Sequence, residues 1–276
     1  MSEEERAGRS LTEVVGLSLK KIEDQLISVA EMQRDIMPDP ERLEVFSDFD
    51  IFGKTLPIAV VGGDFYDFID LEGRFDLKGK MGIVIADAAG HGLAAAMLIR
   101  DLNTALLTGI ALQAHYEKDT TPFLFTKLNR RLYRSSQDNQ FITCFYGELH
   151  QDGKLRYINC GHYSPYLVKP EQVLTLDIGG SVLGAFWDLP LPYEVGEIRM
   201  EKGDVLVCFT DGIVEAFDAE GNEYGRQRLL DAVLAARDKD ARRIFDAVVA
   251  DVDRFAAGAR QQDDRTITII KRGLSG

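Results

Sequence analysis

Cysteine, histidine and tryptophan are scarce in the 276 residues: three, four and one. The cysteines (Cys144, Cys160, Cys208) form no CxxC pair and sit in apolar runs. That argues against a disulfide scaffold, and they read as buried free thiols in a reducing compartment. Basic charge is also short. Lys plus Arg is 32 against 45 Asp plus Glu, a net charge of -13. Such a field repels phosphate backbones and anionic lipid, so a general nucleic-acid or membrane-surface binder is not expected. No GxxxxGK[ST] loop is present, which removes a P-loop NTPase. No unbroken apolar run approaches the ~20 residues of a membrane helix. The first residues, MSEEERAGRS, lack a signal-peptide layout. A soluble cytoplasmic protein is the expectation.

Hydrophobic residues make up 45% and charged residues 28%, the balance of a globular chain with room for a full core. Residues 1–40 differ in character from 41–276, and the expectation is an N-terminal regulatory or dimerisation helix followed by one domain. Val15, Leu19, Ile22, Leu26, Val29, Gln33 and Ile36 alternate spacings of four and three, a heptad seam with one polar member. The seam suits either a dimeric coiled coil or a helix lying on its own domain. In the first case Gln33 would weaken pairing and help set register. Pro38 and Pro40 end the helix.

Beyond residue 40 short apolar runs between Gly, Asp and Pro predict strands near 49–56, 64–70, 81–87, 141–149, 154–160, 164–168, 193–199, 204–210 and 265–271. Helices are predicted near 92–112, 121–136, 226–236 and 240–256. Successive strands with short turns favour antiparallel sheets, and paired helices favour cover on the outer faces. The expected fold is α+β: a four-layer α-β-β-α sandwich of two antiparallel sheets, preceded by the N-terminal helix.

Aspartates recur at strand ends beside small residues: Asp64 in VVGGDFYDF, Asp87 in GIVIADAAGHG, Asp211 in DVLVCFTDG, and Asp263-Asp264 in QQDDRTITII. Taken singly, each is ordinary turn or cap chemistry. Together, strand ends meeting at one edge would gather carboxylates that stay ionised only with cations. Neighbouring Gly and Ala allow close approach. Hard oxygen donors with water suit Mg²⁺ or Mn²⁺, and a pair of such ions ~3.5–4 Å apart would bind a phosphoryl group.

In order and spacing VGGDFYDF, IADAAGHGLAAAMLI, FITCFYGELH, YINCGHYSPYLV, GSVLGAF, FTDGIVEAFDAEGNEYG and DDRTITII resemble the metal-dependent protein phosphatases (PPM), in their bacterial SpoIIE/RsbU-like branch. The likeness covers about residues 30–272. It implies two Mn²⁺ or Mg²⁺ ions and hydrolysis of protein phosphoserine or phosphothreonine by activated water. Asp64 matches a metal-binding carboxylate, Asp87 the bridging one, and Ala88 the residue lending a backbone carbonyl. Asp211 matches the ligand of the threonine-Asp-Gly motif. Asp263 matches the last ligand, with Asp264 as second choice. Where the branch has Asp-Val-Ser-Gly-His-Gly, this chain has Asp-Ala-Ala-Gly-His-Gly, so a serine hydroxyl is absent. His91 is a candidate general acid or a structural histidine. His162 reads as a turn residue, and His115 and His150 carry no motif.

The likeness also implies a phosphorylated STAS-domain protein, an anti-sigma-factor antagonist, as substrate. An activating protein or upstream sensor acting on the N-terminal helix, and a homodimer, complete the expected partners. The helix after Gly92 is joined directly to Asp87 and Ala88, and is expected to carry the switch. Two other readings account for less of the sequence. Gly62-Gly63-Asp64-Phe65 superficially resembles a nucleotidyl cyclase signature, but the Glu is missing and the other Asp motifs go unexplained. A non-catalytic PPM-fold module that binds a partner has no need of the retained carboxylates.

Overall fold

The computed structural model describes residues 3–38, 46, 48–90, 92–114, 120–136 and 140–273. Helix α1 (Glu3–Arg34) leads into strands β1 (Phe49–Leu56) and β2 (Asp64–Asp70), a short helix α2 (Leu71–Phe75) and β3 (Lys80–Ala88). Helices α3 (Leu93–Gln113) and α4 (Thr121–Ser135) follow. Then come β4 (Ile142–His150), β5 (Lys154–Cys160), β6 (Tyr166–Val168), β7 (Val173–Thr175), β8 (Gly179–Gly180), β9 (Gly196–Arg199) and β10 (Val205–Phe209). Helices α5 (Asp211–Val214), α6 (Gly225–Ala236) and α7 (Ala241–Phe255) precede β11 (Arg265–Arg272).

One sheet has the order β1-β11-β10-β6-β7, the other β2-β3-β4-β5-β8, with β9 also paired to β5. All pairings are antiparallel except the short β5–β8 contact. Between the sheets lie Phe49, Tyr66, Ile83, Ile85, Phe145, Leu206 and Ile270. The α3/α4 pair covers the outer face of the second sheet, burying Phe65, Val84, Leu98, Leu102 and Phe125. The α6/α7 pair covers the first, with Val207, Ile267, Leu229, Ile244 and Val248. This is the expected four-layer sandwich. Strands covered on both faces read as near-continuous apolar runs, as in IVIADA of β3. Helix α7 buries Ile244, Val248 and Val252 at a spacing of four, and Asp240 caps it by accepting from the Arg243 N–H (2.8 Å).

Helix α3 is, by length and composition, apolar enough to cross a membrane. Ala95, Leu98, Ile99, Leu102, Leu106 and Ile110 are instead buried in the domain core, so the apolarity is accounted for by packing. In the sequence the stretch is broken by Arg100 and Asp101, which hid its overall hydropathy.

The N-terminal seam divides. Leu26, Val29 and Ala30 pack with Val61 and Ala96, Gln33 is buried, and Ile36 touches the helix-side core. Val15 and Leu19 are 50% and 61% exposed. The side chain of Ile22 lies outside the described residues. The last turns of α1 therefore lie on the domain that follows.

Candidate active site

Asp64 opens β2, Asp87 is near the end of β3, and the two are register partners. Asp211 begins α5 directly after β10, and Asp263-Asp264 stand just before β11. Because β10 pairs with β11 and β2 with β3, one end of the sandwich collects these residues from both sheets. Two hydrogen bonds show how closely the sheets meet. The Thr210 and Thr266 hydroxyls, from the first sheet's side, donate to one oxygen of Asp64 at 2.8 and 2.6 Å.

Glycines make the approach sterically feasible. A Cβ on Gly62 would fall 1.9 Å from an Asp264 carboxylate oxygen, and one on Gly212 would fall 1.9 Å from the Asp264 carbonyl. On Gly63 it would stand 2.8 Å from the Ala88 carbonyl oxygen. The Gly63 carbonyl accepts from the Ala88 N–H (3.0 Å). Asp264 accepts from the Ile58 N–H (2.8 Å) and the Gly63 N–H (3.1 Å), so both of its oxygens hold the 57–63 loop.

The carboxylates disturb one another. Burial and then the Asp87 charge hold the Asp64 carboxyl well above the usual range. Burial pushes Asp87 up to about 7, with Asp211, Asp263 and Asp264 adding to it. Burial and the charges of Asp263 and Glu215 push Asp211 up to about 6. Asp211, Glu215, Arg260 and Asp263 line a cleft of about 160 Å³. Asp263 is exposed there, in contrast to its buried neighbour Asp264.

His91 lies outside the described residues, as does His115. His162 sits in the bend after β5 and is buried there: its Nδ1 lies 2.8 Å from the Thr143 hydroxyl, and Thr143 is the register partner of Asp87. Burial pushes His162 down to about 4, so it is neutral near pH 7. The residues around the carboxylates that the motifs did not single out are Gln33, Thr143, Thr210 and Thr266. Gln33 was read as a seam residue, yet its Nε2 donates to the Gly62 carbonyl (2.8 Å) and its Oε1 accepts from the Gly62 N–H (3.2 Å). Its only sequence signal was being polar in an apolar seam.

Solved structures that share this architecture are PP2C-type phosphatase domains. The SiaA-PP2C domain of Pseudomonas aeruginosa has a TM-score of 0.74 at 22% identity, with 92% of this chain and 98% of that one covered. The PP2C phosphatase domain of the cell fate determinant SpoIIE from Bacillus subtilis, solved with a fragment of its regulatory domain, has a TM-score of 0.63 at 19% identity, covering 83% and 64%. At these identities the likeness shows the fold. In sequence, the phosphoserine phosphatase RsbU of Bacillus subtilis (strain 168) is 24% identical over 263 residues, which is 92% of this chain and 71% of that protein. The family model for stage II sporulation protein E (SpoIIE) matches residues 78–273. The chain belongs to the SpoIIE family.

Proposed function

We propose that this chain is an Mn²⁺- or Mg²⁺-dependent phosphatase of protein phosphoserine and phosphothreonine, using two ions. The observation that carries the reading is the convergence of Asp64, Asp87, Asp211 and Asp263 from both sheets onto one end of the sandwich, where burial and mutual charge disfavour the ionisation of Asp64, Asp87 and Asp211. A cation relieves that repulsion.

The donor set fits a hard divalent ion: carboxylate oxygens with the Ala88 carbonyl, which the missing Cβ of Gly63 leaves uncrowded. Asp64, Asp87, Ala88, Asp211 and Asp263 would hold the ions. When bound, the ions supply charge neutralisation at the phosphoryl oxygens and a water of lowered pKa. Asp64 is held in place by the Thr210 and Thr266 hydroxyls. Asp87 is fixed by the β2–β3–β4 register, and Asp211 and Asp263 border the open cleft through which a phosphorylated side chain would enter. Asp264 supports the loop instead of facing the ions.

The substrate reading is a phosphorylated STAS-domain protein, supported by the resemblance to the SpoIIE/RsbU-like branch. The exposed Val15 and Leu19 on α1 support a second copy or an upstream sensor pairing there. Buried free thiols suit a cytoplasmic setting.

A second reading, a non-catalytic partner-binding module, draws on one observation. Among the described residues no three carboxylate, imidazole or thiol groups converge closely enough to enclose an ion by themselves. Mg²⁺ is commonly held by one or two carboxylates with water completing its shell, so an open arrangement remains compatible with catalysis.

Phosphate release from a phosphorylated STAS-domain protein, with Mn²⁺, with chelator and with Asp211→Asn, decides between them. Turnover requiring both metal and Asp211 establishes the phosphatase. Mn²⁺ binding without turnover turns the question to the substrate or an activating partner. Neither binding nor turnover establishes the non-catalytic module.

A further inference from the structure

Gln33 is a buried amide on a helix whose neighbouring seam residues are apolar, and both ends of that amide are engaged by one residue. Nε2 donates to the Gly62 carbonyl at 2.8 Å and Oε1 accepts from the Gly62 N–H at 3.2 Å. Only one orientation of the amide satisfies both bonds, so the pairing fixes how the side chain sits. The two residues are 29 positions apart, which makes this a tertiary tie between α1 and the loop before β2.

The turn held by Gln33 adjoins two proposed ligands, Ala88 and Asp64, and the supporting Asp264. Gly62 has no side chain because the Asp264 carboxylate fills that space. Gly63 donates to Asp264 (3.1 Å) and accepts from the Ala88 N–H (3.0 Å), and the next residue is Asp64. One turn earlier on α1, Ala30 packs with Val61 and with Ala96 in the first turn of α3. Helix α1 thus bears on both chain segments that lead to the carboxylates: 61–64, and the start of α3, which follows Asp87 and Ala88.

We infer that Gln33 is a positioning residue: its amide clamps Gly62, and through the Gly62-Gly63 turn it sets the placement of Asp64, Ala88 and Asp264 relative to one another. A displacement of α1 is transmitted to the ion-binding oxygens through these two hydrogen bonds. The inference rests on the proposed metal site. It accounts for a polar residue in the seam without invoking a coiled coil, since Gln33 faces its own domain.

The test is a titration of substrate-free full-length protein with Mn²⁺, reading free Mn²⁺ by electron paramagnetic resonance. Wild type, Gln33→Met, Gln33→Glu and Met32→Ala are compared. Met32 is 52% exposed on the same helix and serves as control. Removing groups that orient metal ligands typically weakens metal binding 10–100-fold. Gln33→Met is expected at the low end, about tenfold weaker, with unchanged circular dichroism and with kcat at saturating Mn²⁺ within about threefold of wild type. Met32→Ala is expected to bind as wild type does. A folded Gln33→Met that binds Mn²⁺ like wild type overturns the inference. If Gln33→Met does not fold, Gln33→Glu decides on the same terms; it keeps the acceptor for the Gly62 N–H but sets a carboxylate against the Gly62 carbonyl. Should wild type itself bind no Mn²⁺, the metal reading has failed, and amide exchange at Gly63 then tests the clamp. Faster exchange in the variant supports it, and unchanged exchange overturns it.

Discussion

Two groups of carboxylates meet at the end of the sandwich, and they are treated in opposite ways. Asp64 and Asp264 are buried, and their hydrogen bonds come from fixed partners: two threonine hydroxyls for Asp64, two backbone N–H groups for Asp264. Asp87, Asp211 and Asp263 lie among like charges: burial and the neighbouring carboxylates raise the proton affinity of Asp87 and Asp211, and Asp211 and Asp263 line the cleft. A carboxylate that satisfies backbone donors contributes to the fold at neutral pH. One that mainly meets other carboxylates costs stability, and such perturbed groups cluster at functional sites. The contrast also separates neighbours in sequence: Asp264 holds the loop while Asp263 stands in the open.

The largest expected effect breaks the second group. Asp211→Asn or Asp87→Asn removes a charge from the proposed metal site. Several kcal/mol of transition-state stabilisation are at stake, and at about 1.4 kcal/mol per decade the rate falls by about a thousandfold. Phosphate release measures it. Without metal, the same variants should melt at or above the wild-type temperature, since an amide ends the repulsion. Wild-type rates in either would remove these residues from the proposed site.

The next effect exchanges the two neighbours. Asp264→Ala strands the buried Ile58 and Gly63 N–H groups, at a cost of about 1–3 kcal/mol each. At about 2–4 °C per kcal/mol for a chain of this size, Tm should fall by roughly 5–20 °C. Asp263→Ala should leave Tm within about 2 °C while removing turnover. Equal melting losses in both would mean that the distinction between the two residues is mistaken.

Much of this arrangement was legible in the sequence. The strands next to Asp64, Asp87 and Asp211 were visible because each apolar run begins or ends at a carboxylate beside a small residue. The four longer helices of the domain showed through their length and periodicity. What could not be read depends on contacts between distant segments. Thr210 and Thr266 become partners of Asp64 only once the sheets stack. Gln33 finds Gly62 only after α1 folds back. His162 does lie in the turn that CGHYSP signals, but its burial there depends on sheet packing. The strands β7 and β8 span three and two residues, too few for any period to show. Asp263 was placed ahead of Asp264 only through the resemblance, because the surrounding loop decides which of them turns inward.

A smaller effect sharpens the first group from within. Thr210→Val leaves Asp64 with the Thr266 hydroxyl as the remaining one of its two hydroxyl partners and removes the acceptor of the Thr266 N–H (3.0 Å). A lost hydrogen bond to a charged group costs about 1.5–3 kcal/mol, so Tm should drop by roughly 4–8 °C. A Tm unchanged by calorimetry would show that the hydroxyl does not hold Asp64.

The smallest effect concerns Asp67, three residues further along β2 and so on the opposite face from Asp64. It is buried on the side that meets the helices, and burial raises its carboxyl to about 6 despite Arg74 and the Phe68 backbone. The folded chain thus binds a proton more tightly here than the unfolded chain, whose Asp titrates near 3.9. Below about pH 4 both states are protonated and the group is neutral to stability. As pH rises from about 4 to about 6 the unfolded state gives up its proton while the folded state keeps it, so folding stability declines by up to about 2–3 kcal/mol and levels off above that range. Asp67→Asn cannot ionise, so its Tm should exceed that of wild type by a few degrees at pH 7, and the difference should shrink toward pH 4. Melting curves of both proteins across that range give the comparison directly. Asp64 and Asp67 share a strand and both are buried, but the Thr210 and Thr266 hydroxyls oppose the cost of burial only at Asp64. A difference constant with pH would mean that Asp67 is already compensated in the fold, and that burial alone does not separate the two carboxylates.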